Sequence, residues 1–137
     1  MAMKVEISIT DRQRILDHAA SSRDEVCGLL LGDEGRIASV RPCANVSDEP
    51  ARRFELDPAA LIAAWRAGRG GGPRVIGHYH SHPTGDAQPS ATDAAEAAAD
   101  GAIWIIAAVG QVAAWRAVAA GAVHGRFDPV ALIVVAR

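Results

Sequence analysis

The feature that most constrains the fold of this chain is a pair of histidines, His80 and His82, separated by one residue. The residues before them, from Arg74 to Tyr79, include the β-branched and aromatic types that favour a strand. Side chains alternate between the two faces of a strand, so both imidazoles point to the same side. Pro83 ends the strand, because proline cannot donate a hydrogen bond to a neighbouring strand. The pattern therefore predicts a strand that presents two metal-binding groups at its end.

A carboxylate close by can complete a metal site. Asp93 follows within one short loop, in the first turn of a predicted helix, where the helix dipole favours negative charge. Two imidazoles and one carboxylate suit Zn²⁺ and leave a fourth position for water, which is the catalytic arrangement. Ser90 and Asp93 are also a plausible helix-capping pair, so that interpretation stays open. His78 shares the strand face of the other two histidines and is either a rival ligand or part of a pocket rim.

Hydrolysis at such a site also needs a group that accepts and returns a proton. Glu25 is the candidate, because it stands immediately before the apolar run 26–31 and so at the mouth of a buried strand. The alternative is an ordinary solvated glutamate beside Asp24 at a helix–strand junction. Ser90 would then be placed to donate a hydrogen bond to the tetrahedral oxyanion.

Turn and capping signals divide the chain into strands and helices. Strands are predicted at residues 5–9, 26–31, 36–46, 53–56, 74–82, 103–109, 112–118 and 130–135. Helices are predicted at residues 10–20 with Thr10 as N-cap, at 58–67 with Gly68 ending the helix, and at 90–100. Because these elements interleave irregularly, we expect an α/β (α+β) fold with a mixed β-sheet flanked by helices.

The composition is that of an ordinary globular domain. With 137 residues the chain is long enough for one core, so residues 1–137 are expected to form a single domain. A net charge of −2 gives no reason to expect nucleic acid or an anionic membrane as a partner. Cys27 and Cys43 are too few for a disulfide framework, and no secretory signal is visible at the N-terminus. We therefore expect a cytoplasmic protein with reduced thiols.

Several other conspicuous side chains are expected in the core. Cys27 has no activating partner that the sequence can assign, and small buried cysteines are common. Trp65, Trp104 and Trp115 fall in helix or strand patterns and are expected to pack between layers.

Three segments together resemble a known signature. Glu25 followed by Val-Cys-Gly-Leu-Leu-Leu-Gly, the stretch Gly77-His-Tyr-His-Ser-His-Pro83, and the stretch Pro89-Ser-Ala-Thr-Asp93 are similar to the JAMM motif. That motif is typical of the Mov34/MPN/PAD-1 (JAB1-type) zinc metalloproteases. The resemblance extends from about Val5 to Val118.

This resemblance implies a cytidine-deaminase-like JAB1/MPN fold that binds one Zn²⁺ per chain. It implies that His80, His82 and Asp93 hold the metal, with Glu25 as general acid and base and Ser90 as oxyanion donor. Members of the family hydrolyse peptide or isopeptide bonds, often at the Gly-Gly tail of ubiquitin or a ubiquitin-like protein. The expected function is therefore a metallopeptidase that cleaves an amide bond at the C-terminal tail of a ubiquitin-like sulfur carrier.

The length of the chain bears on the substrate. Only about ten residues separate Asp93 from the strand at Ile103, so the chain resembles the compact stand-alone prokaryotic members of the family. The segment from Arg52 to Leu56 could pair with an extended tail by strand addition, and Arg52 or Arg53 could meet acidic surface or simply be solvated.

Two alternatives remain: a non-catalytic MPN-type binding scaffold, and a RadC-like protein suggested by the stretch from His82 to Ser90.

Overall fold

A computed structural model describes residues 3–136. In chain order its elements are β1 (Lys4–Ser8), α1 (Ile9–Ala20), β2 (Cys27–Asp33), β3 (Arg36–Cys43), α2 (Pro58–Arg69), β4 (Arg74–Ser81), α3 (Ala91–Glu96), β5 (Ile103–Ala108), β6 (Gln111–Gly121) and β7 (Gly125–Val135). Within residues 3–136, none of the helices is both long enough and apolar enough to cross a membrane.

The strands form one mixed sheet in the order β1-β3-β2-β4-β5-β6-β7. The pairs β1–β3, β1–β7 and β4–β5 are parallel, and the remaining neighbours are antiparallel. The predicted mixed sheet flanked by helices is thus confirmed. Because β1 pairs with both β3 and β7, the sheet also closes on itself, which the sequence patterns did not indicate.

One face of the sheet packs against α1. Ile15 of α1 is fully buried against inward-pointing side chains from successive strands, among them Leu30, Tyr79 and Ile105. Burial of apolar side chains of this size contributes about 1.5–3 kcal/mol each, so this layer stabilises the curvature of the sheet.

The opposite side of the sheet carries the histidines. His78 lies between Leu29 of β2 and Trp104 of β5, and His80 lies between Cys27 and Ile106 on the same strands. The strand face predicted to bear the imidazoles is therefore the outer face. α2 packs over part of this face through Ala64, which contacts Leu29.

The helix ends differ from the sequence expectation. α1 begins at Ile9 rather than after Thr10, because the Ser8 hydroxyl accepts a hydrogen bond from the amide of Asp11 at 3.0 Å. α2 continues to Arg69 and is capped by Gly70 rather than stopped at Gly68.

α3 is shorter than its alanine-rich sequence suggested. It ends at Glu96 instead of residue 100, since Ala97 adopts an extended backbone with φ −73° and ψ 133°. Helix propensity is a weak determinant when tertiary packing opposes it.

The strand ends also differ. β3 stops at Cys43, and the predicted strand 53–56 is reduced to a single bridge between Asn45 and Leu56. β7 begins at Gly125, five residues before the predicted start, although Pro129 lies within it.

Trp65 was wrongly predicted to pack in the core. It lies on the outer surface of α2 with 51% of its area exposed, whereas Trp104 and Trp115 are buried.

Gly77 provides a test of the β4–β5 packing beneath the histidines. A Cβ at this position would lie 2.7 Å from the carbonyl carbon of Ile103, inside van der Waals contact with backbone that cannot move aside. We expect Gly77→Ala to lower the free energy of unfolding by about 3 kcal/mol. Gly70→Ala, where the nearest atom is 3.5 Å away, should cost less than about 1 kcal/mol. Urea unfolding of both variants measures the difference, and equal losses would contradict the packing described.

Candidate metal centre

β4 and α3 bring three side chains together at one point. The Nε2 atoms of His80 and His82 lie 3.1 Å apart. The Asp93 carboxylate spans the pair, with Oδ1 3.1 Å from His80 Nε2 and Oδ2 3.1 Å from His82 Nε2. All three side chains are withdrawn from solvent, and His80 is completely buried. The two histidines and the carboxylate that the sequence singled out therefore form one compact cluster.

Asp93 is held in place by the start of its own helix. The Ser90 hydroxyl accepts a hydrogen bond from the Asp93 amide at 3.0 Å, and the Ser90 amide donates to Asp93 Oδ2 at 2.9 Å. This reciprocal arrangement is a capping box. Ser90 and Asp93 can therefore form a capping pair and a metal site at once, because Asp93 Oδ2 accepts the hydrogen bond from the Ser90 amide while the carboxylate faces both imidazoles.

The loop that joins the histidines to α3 is fastened to the rest of the sheet. The Trp115 indole N–H donates to the carbonyl oxygen of Ala87 at 2.9 Å. His124 Nε2 lies 3.1 Å from the carbonyl oxygen of Pro89, immediately before Ser90. Neither contact was anticipated, because these partners are 28 and 35 residues apart in sequence and no spacing rule links them.

The two imidazoles have different surroundings. His82 Nδ1 lies 2.8 Å from the carbonyl oxygen of Asp86 and must donate to it, which leaves the Nε2 lone pair free for a ligand. His80 is stacked against Phe54, with ring centroids 4.2 Å apart and an interplanar angle of 18°. Its Nδ1 is buried with no hydrogen-bond partner among residues 3–136.

Charge distribution prepares the cluster for a cation. Burial alone would raise the pKa of Asp93, but hydrogen bonds with His80 and His82 hold it well below its usual range. Burial lowers the pKa of His80 despite the opposing effect of Asp93, so this imidazole is neutral at pH 7. For His82, burial is outweighed by hydrogen bonds with Asp93 and Asp86, and its pKa is raised. Protons therefore compete with a metal ion for His82, and metal binding weakens as the pH falls.

The geometry fits a divalent metal ion. Bonds of about 2.0–2.1 Å at tetrahedral angles place ligand atoms about 3.3 Å apart. The separations of 3.1 Å between the Nε2 atoms, and between each of them and the carboxylate, are close to this value. The set of two imidazole nitrogens and one carboxylate could therefore hold a metal ion and leave one coordination position open.

Glu25 is buried beside this cluster rather than solvated. Only 8% of the residue is exposed, and Oε1 has no hydrogen-bond partner among residues 3–136. Burial raises its pKa to about 7; a positive charge on His82 lowers the value, and the negative charge of Asp93 raises it. The carboxyl group therefore lies within electrostatic reach of the cluster. A carboxyl group with such a pKa can both accept and release a proton at neutral pH.

Ser81 links the residue after Glu25 to β4, and this role was not predicted from the sequence. Its hydroxyl accepts a hydrogen bond from the Val26 amide at 2.9 Å, and its own amide donates to the Val26 carbonyl oxygen at 3.1 Å. The residue next to Glu25 is thereby paired with the residue between the two histidines. Alternation along β4 was the available signal, since Ser81 must point away from the face that bears the imidazoles.

His78 lies in an aromatic cluster next to the metal-binding group, not within it. Its ring packs edge-on against Trp104 with centroids 4.4 Å apart and lies 5.4 Å from the ring of Phe54. Burial lowers its pKa to about 3, so it is neutral. His78 lines an open groove that continues past Leu61 and Trp65, in agreement with the pocket-rim interpretation.

The thiol of Cys27 is inert. The residue is fully buried, as expected, and burial raises its pKa to about 12, so no thiolate forms at neutral pH.

The burial of Glu25 predicts a specific pH dependence of the metal-free protein. A pKa of about 7 in the folded state and 4.5 when unfolded means that the folded protein binds more protons between these pH values. Stability is therefore lost as the pH rises from 4.5 to 7, by on the order of 2–3 kcal/mol. Glu25→Gln should therefore exceed the parent protein in free energy of unfolding by that much more at pH 8 than at pH 5. Urea unfolding with chelator present measures both proteins at both pH values. A difference that does not vary with pH, or the same variation in the exposed control Glu34→Gln, would contradict this account.

Comparison with known proteins agrees with the fold and with the family that the motif indicated. Residues 10–119 match the family described as prokaryotic homologs of the JAB domain. The chain is 34% identical over 110 residues to the desampylase of Haloferax volcanii, covering 75% of this chain and 79% of that protein. It is 36% identical over 72 residues to the CysO-cysteine peptidase of Mycobacterium tuberculosis, covering 51% and 49% respectively. The solution structure of a protein from Desulfitobacterium hafniense shares the fold, with a TM-score of 0.80 at 24% identity over 97% of this chain and 94% of that one. The resemblance inferred from the motif is therefore confirmed, and the chain belongs to the prokaryotic homologs of the JAB domain.

Proposed function

We propose that this protein is a zinc-dependent peptidase or isopeptidase that cleaves an amide bond at the C-terminal tail of a ubiquitin-like sulfur carrier. The observation that carries the proposal is the convergence of His80, His82 and Asp93 beside the buried carboxyl group of Glu25, whose Oε1 has no hydrogen-bond partner among residues 3–136. The names of two relatives, a desampylase and a CysO-cysteine peptidase, support hydrolysis of this kind. We extend the proposal to a single domain, residues 1–137, acting in the cytoplasm.

In the proposed reaction the three ligands hold one Zn²⁺. When bound, Zn²⁺ supplies a Lewis acid that polarises the scissile carbonyl and lowers the pKa of water. Glu25 takes one proton from the attacking water as the new carbon–oxygen bond forms. It then passes that proton to the amide nitrogen, so the carbon–nitrogen bond breaks to give a carboxylic acid and a free amine. The carboxyl group returns to its starting state after each turnover.

Ser90 is proposed to stabilise the oxyanion of the tetrahedral intermediate. Its oxygen accepts the hydrogen bond from the Asp93 amide, but the hydroxyl hydrogen remains available to donate. The capping box fixes the side chain relative to Asp93, so the donor is oriented before the substrate arrives. One such donor contributes roughly 3 kcal/mol to transition-state stabilisation.

The segment from Arg52 to Leu56 is proposed to align the substrate tail. It is tied to the body of the protein by the bridge between Asn45 and Leu56, and Phe54 within it reaches His80. A main chain in this position can pair with an extended peptide whose scissile bond lies at the metal centre. The Arg53 guanidinium lies 3.4 Å from Glu49 and is half exposed, so Arg52 is the freer of the two arginines for an acidic carrier surface.

The burial of Glu25 favours an enzyme over a binding scaffold. A buried carboxyl oxygen such as Glu25 Oε1, with no hydrogen-bond partner among residues 3–136, destabilises the folded protein. Such a group provides no packing advantage, and perturbed carboxyl groups next to metal ligands are typical of catalytic sites. The net charge of −2 likewise gives a RadC-like role on nucleic acid no support.

The role of Glu25 predicts a variant that binds metal but does not hydrolyse the substrate. Glu25→Gln has the same shape but cannot carry the proton, so kcat should fall by about 10³-fold or more while zinc remains near one per chain. The assay is release of a C-terminal extension from a sulfur-carrier fusion, followed by mass spectrometry. Glu34→Gln, on the exposed turn between β2 and β3, should retain parent activity. Full turnover by Glu25→Gln would remove this residue from the mechanism.

The ligand assignment predicts which changes abolish metal binding. His80→Ala and Asp93→Ala should each lower zinc per chain, by elemental analysis, from about one to a small fraction, because two protein ligands hold zinc far less tightly than three. His18→Ala is the control histidine, since His18 contacts Tyr79 on the other side of β4. Chelation should abolish activity of the parent protein, and added Zn²⁺ should restore it. Zinc retained by Asp93→Ala would exclude this carboxylate as a ligand.

A further inference from the structure

We propose that Asn45 is a positioning residue that couples the base Glu25 to the substrate-aligning segment 52–56. This inference rests on the proposed function and adds to it a residue that lies outside the three segments of the signature. It follows from the hydrogen bonds of the Asn45 side-chain amide, which lies in the connection between β3 and α2.

Glu25 lies outside the strand ladder, and its backbone groups depend on partners elsewhere. Its amide donates to the carbonyl oxygen of Pro50 at 2.8 Å. Its carbonyl oxygen accepts from Asn45 Nδ2, also at 2.8 Å. Both partners belong to the connection between β3 and α2. The backbone position of the proposed base is therefore set by this connection rather than by the sheet.

The Asn45 side chain makes four hydrogen bonds, which is its full capacity. Nδ2 donates to the carbonyl oxygens of Glu25 and Arg53, at 2.8 and 3.1 Å. Oδ1 accepts from the amides of Ser47 and Glu55, each at 3.0 Å. A planar amide with all four positions filled cannot rotate without breaking several bonds, so it fixes its partners relative to one another.

The same amide also fixes the contact between the segment and the metal-binding cluster. Arg53 and Glu55, which Asn45 holds, flank Phe54 on both sides. The Phe54 ring stacks on His80 with centroids 4.2 Å apart. Asn45 thus joins three parts of the site: the base, the aromatic cover over one ligand, and the main chain proposed to pair with the substrate.

Glu25 has a second anchor on its other side. The neighbouring Val26 is held by reciprocal hydrogen bonds with Ser81, between the two histidines. With Asn45 intact, the base is fixed from both directions. Without it, the Glu25 carbonyl oxygen is unpaired and the carboxyl group can shift relative to the metal centre. A displacement of about 1 Å at a reacting group can reduce the rate about 100-fold.

Two substitutions separate the coupling from a merely structural role. Asn45→Ala removes all four bonds, so kcat should fall about 10- to 100-fold and KM should rise because segment 52–56 loosens. Asn45→Asp keeps the acceptor bonds to Ser47 and Glu55 but loses both donor bonds, to the carbonyl oxygens of Glu25 and Arg53. It should therefore lower kcat about as much as Asn45→Ala, while KM rises less than in Asn45→Ala because the Glu55 amide in segment 52–56 keeps its bond. Parent-level kcat in Asn45→Asp would overturn the inference and leave Asn45 only a loop-shaping role.

The controls are the zinc content and a neighbouring polar residue. Zinc per chain should stay near one in both Asn45 variants, since no ligand is changed. Ser47→Ala removes one bond within the same connection, which the Glu49 amide donates to the Ser47 hydroxyl, and leaves the partners of Glu25 in place. It should retain parent kcat. An equal loss of kcat in Ser47→Ala would show that any weakening of the connection suffices, which also overturns the specific role of Asn45.

Amide hydrogen exchange tests the coupling without any assay of activity. In Asn45→Asp, protection of the Glu25 amide should fall while that of Glu55 and of Leu30 in the core is retained. Unchanged protection of Glu25 would contradict the coupling. If the parent protein cleaves no carrier but exchange changes as expected, the proposed function fails and the structural link stands. If the parent protein cleaves carriers but exchange in Asn45→Asp does not change, the proposed function stands and the coupling through Asn45 fails.

Discussion

The site depends on the position of one carboxylate. Asp93 accepts a hydrogen bond from the Ser90 amide through the same oxygen that faces His82, and its other oxygen faces His80. The capping interaction that starts α3 therefore also determines where the Asp93 carboxylate, the third metal-ligating group, lies relative to β4. Because the carboxylate is buried, its ionised form depends on its hydrogen bonds with the two imidazoles and the Ser90 amide. The start of α3, the path of the preceding loop and the positions of the three metal-ligating groups are thus coupled.

Around this unit the protein maintains several groups that folding alone would not favour. Glu25 Oε1, His78 Nδ1 and His80 Nδ1 are all buried without hydrogen-bond partners among residues 3–136. Each raises the free energy of the folded state, and the apolar layer around α1 compensates for them. Their concentration on one face of the sheet, opposite that layer, separates the part of the molecule that provides stability from the part that carries chemistry.

The sequence predicted the parts of the site that obey local rules. His80 and His82 follow from the two-residue period of a strand, and Asp93 follows from its place in the first turn of the next helix, where the helix dipole favours negative charge. The mixed sheet was also predictable from the order of elements. Closure of the sheet, the early end of α3 at Glu96 and the exposure of Trp65 were not, because each depends on which surfaces meet in three dimensions. The hydrogen bonds of Asn45 could not be predicted from the sequence either, because they join residues up to 20 positions apart and Asn45 lies in a connection without regular structure.

The closed sheet has a consequence for how such a protein handles extended peptides. An open sheet exposes rows of unpaired main-chain groups at its edges, which attract other strands indiscriminately. Here every strand from β1 to β7 has a neighbour on both sides in the ring. In the proposed function, irregular backbone such as segment 52–56, beside the histidines, then supplies the amide and carbonyl groups with which an extended chain pairs. A closed sheet would in this way confine pairing with a substrate chain to the place proposed for its cleavage.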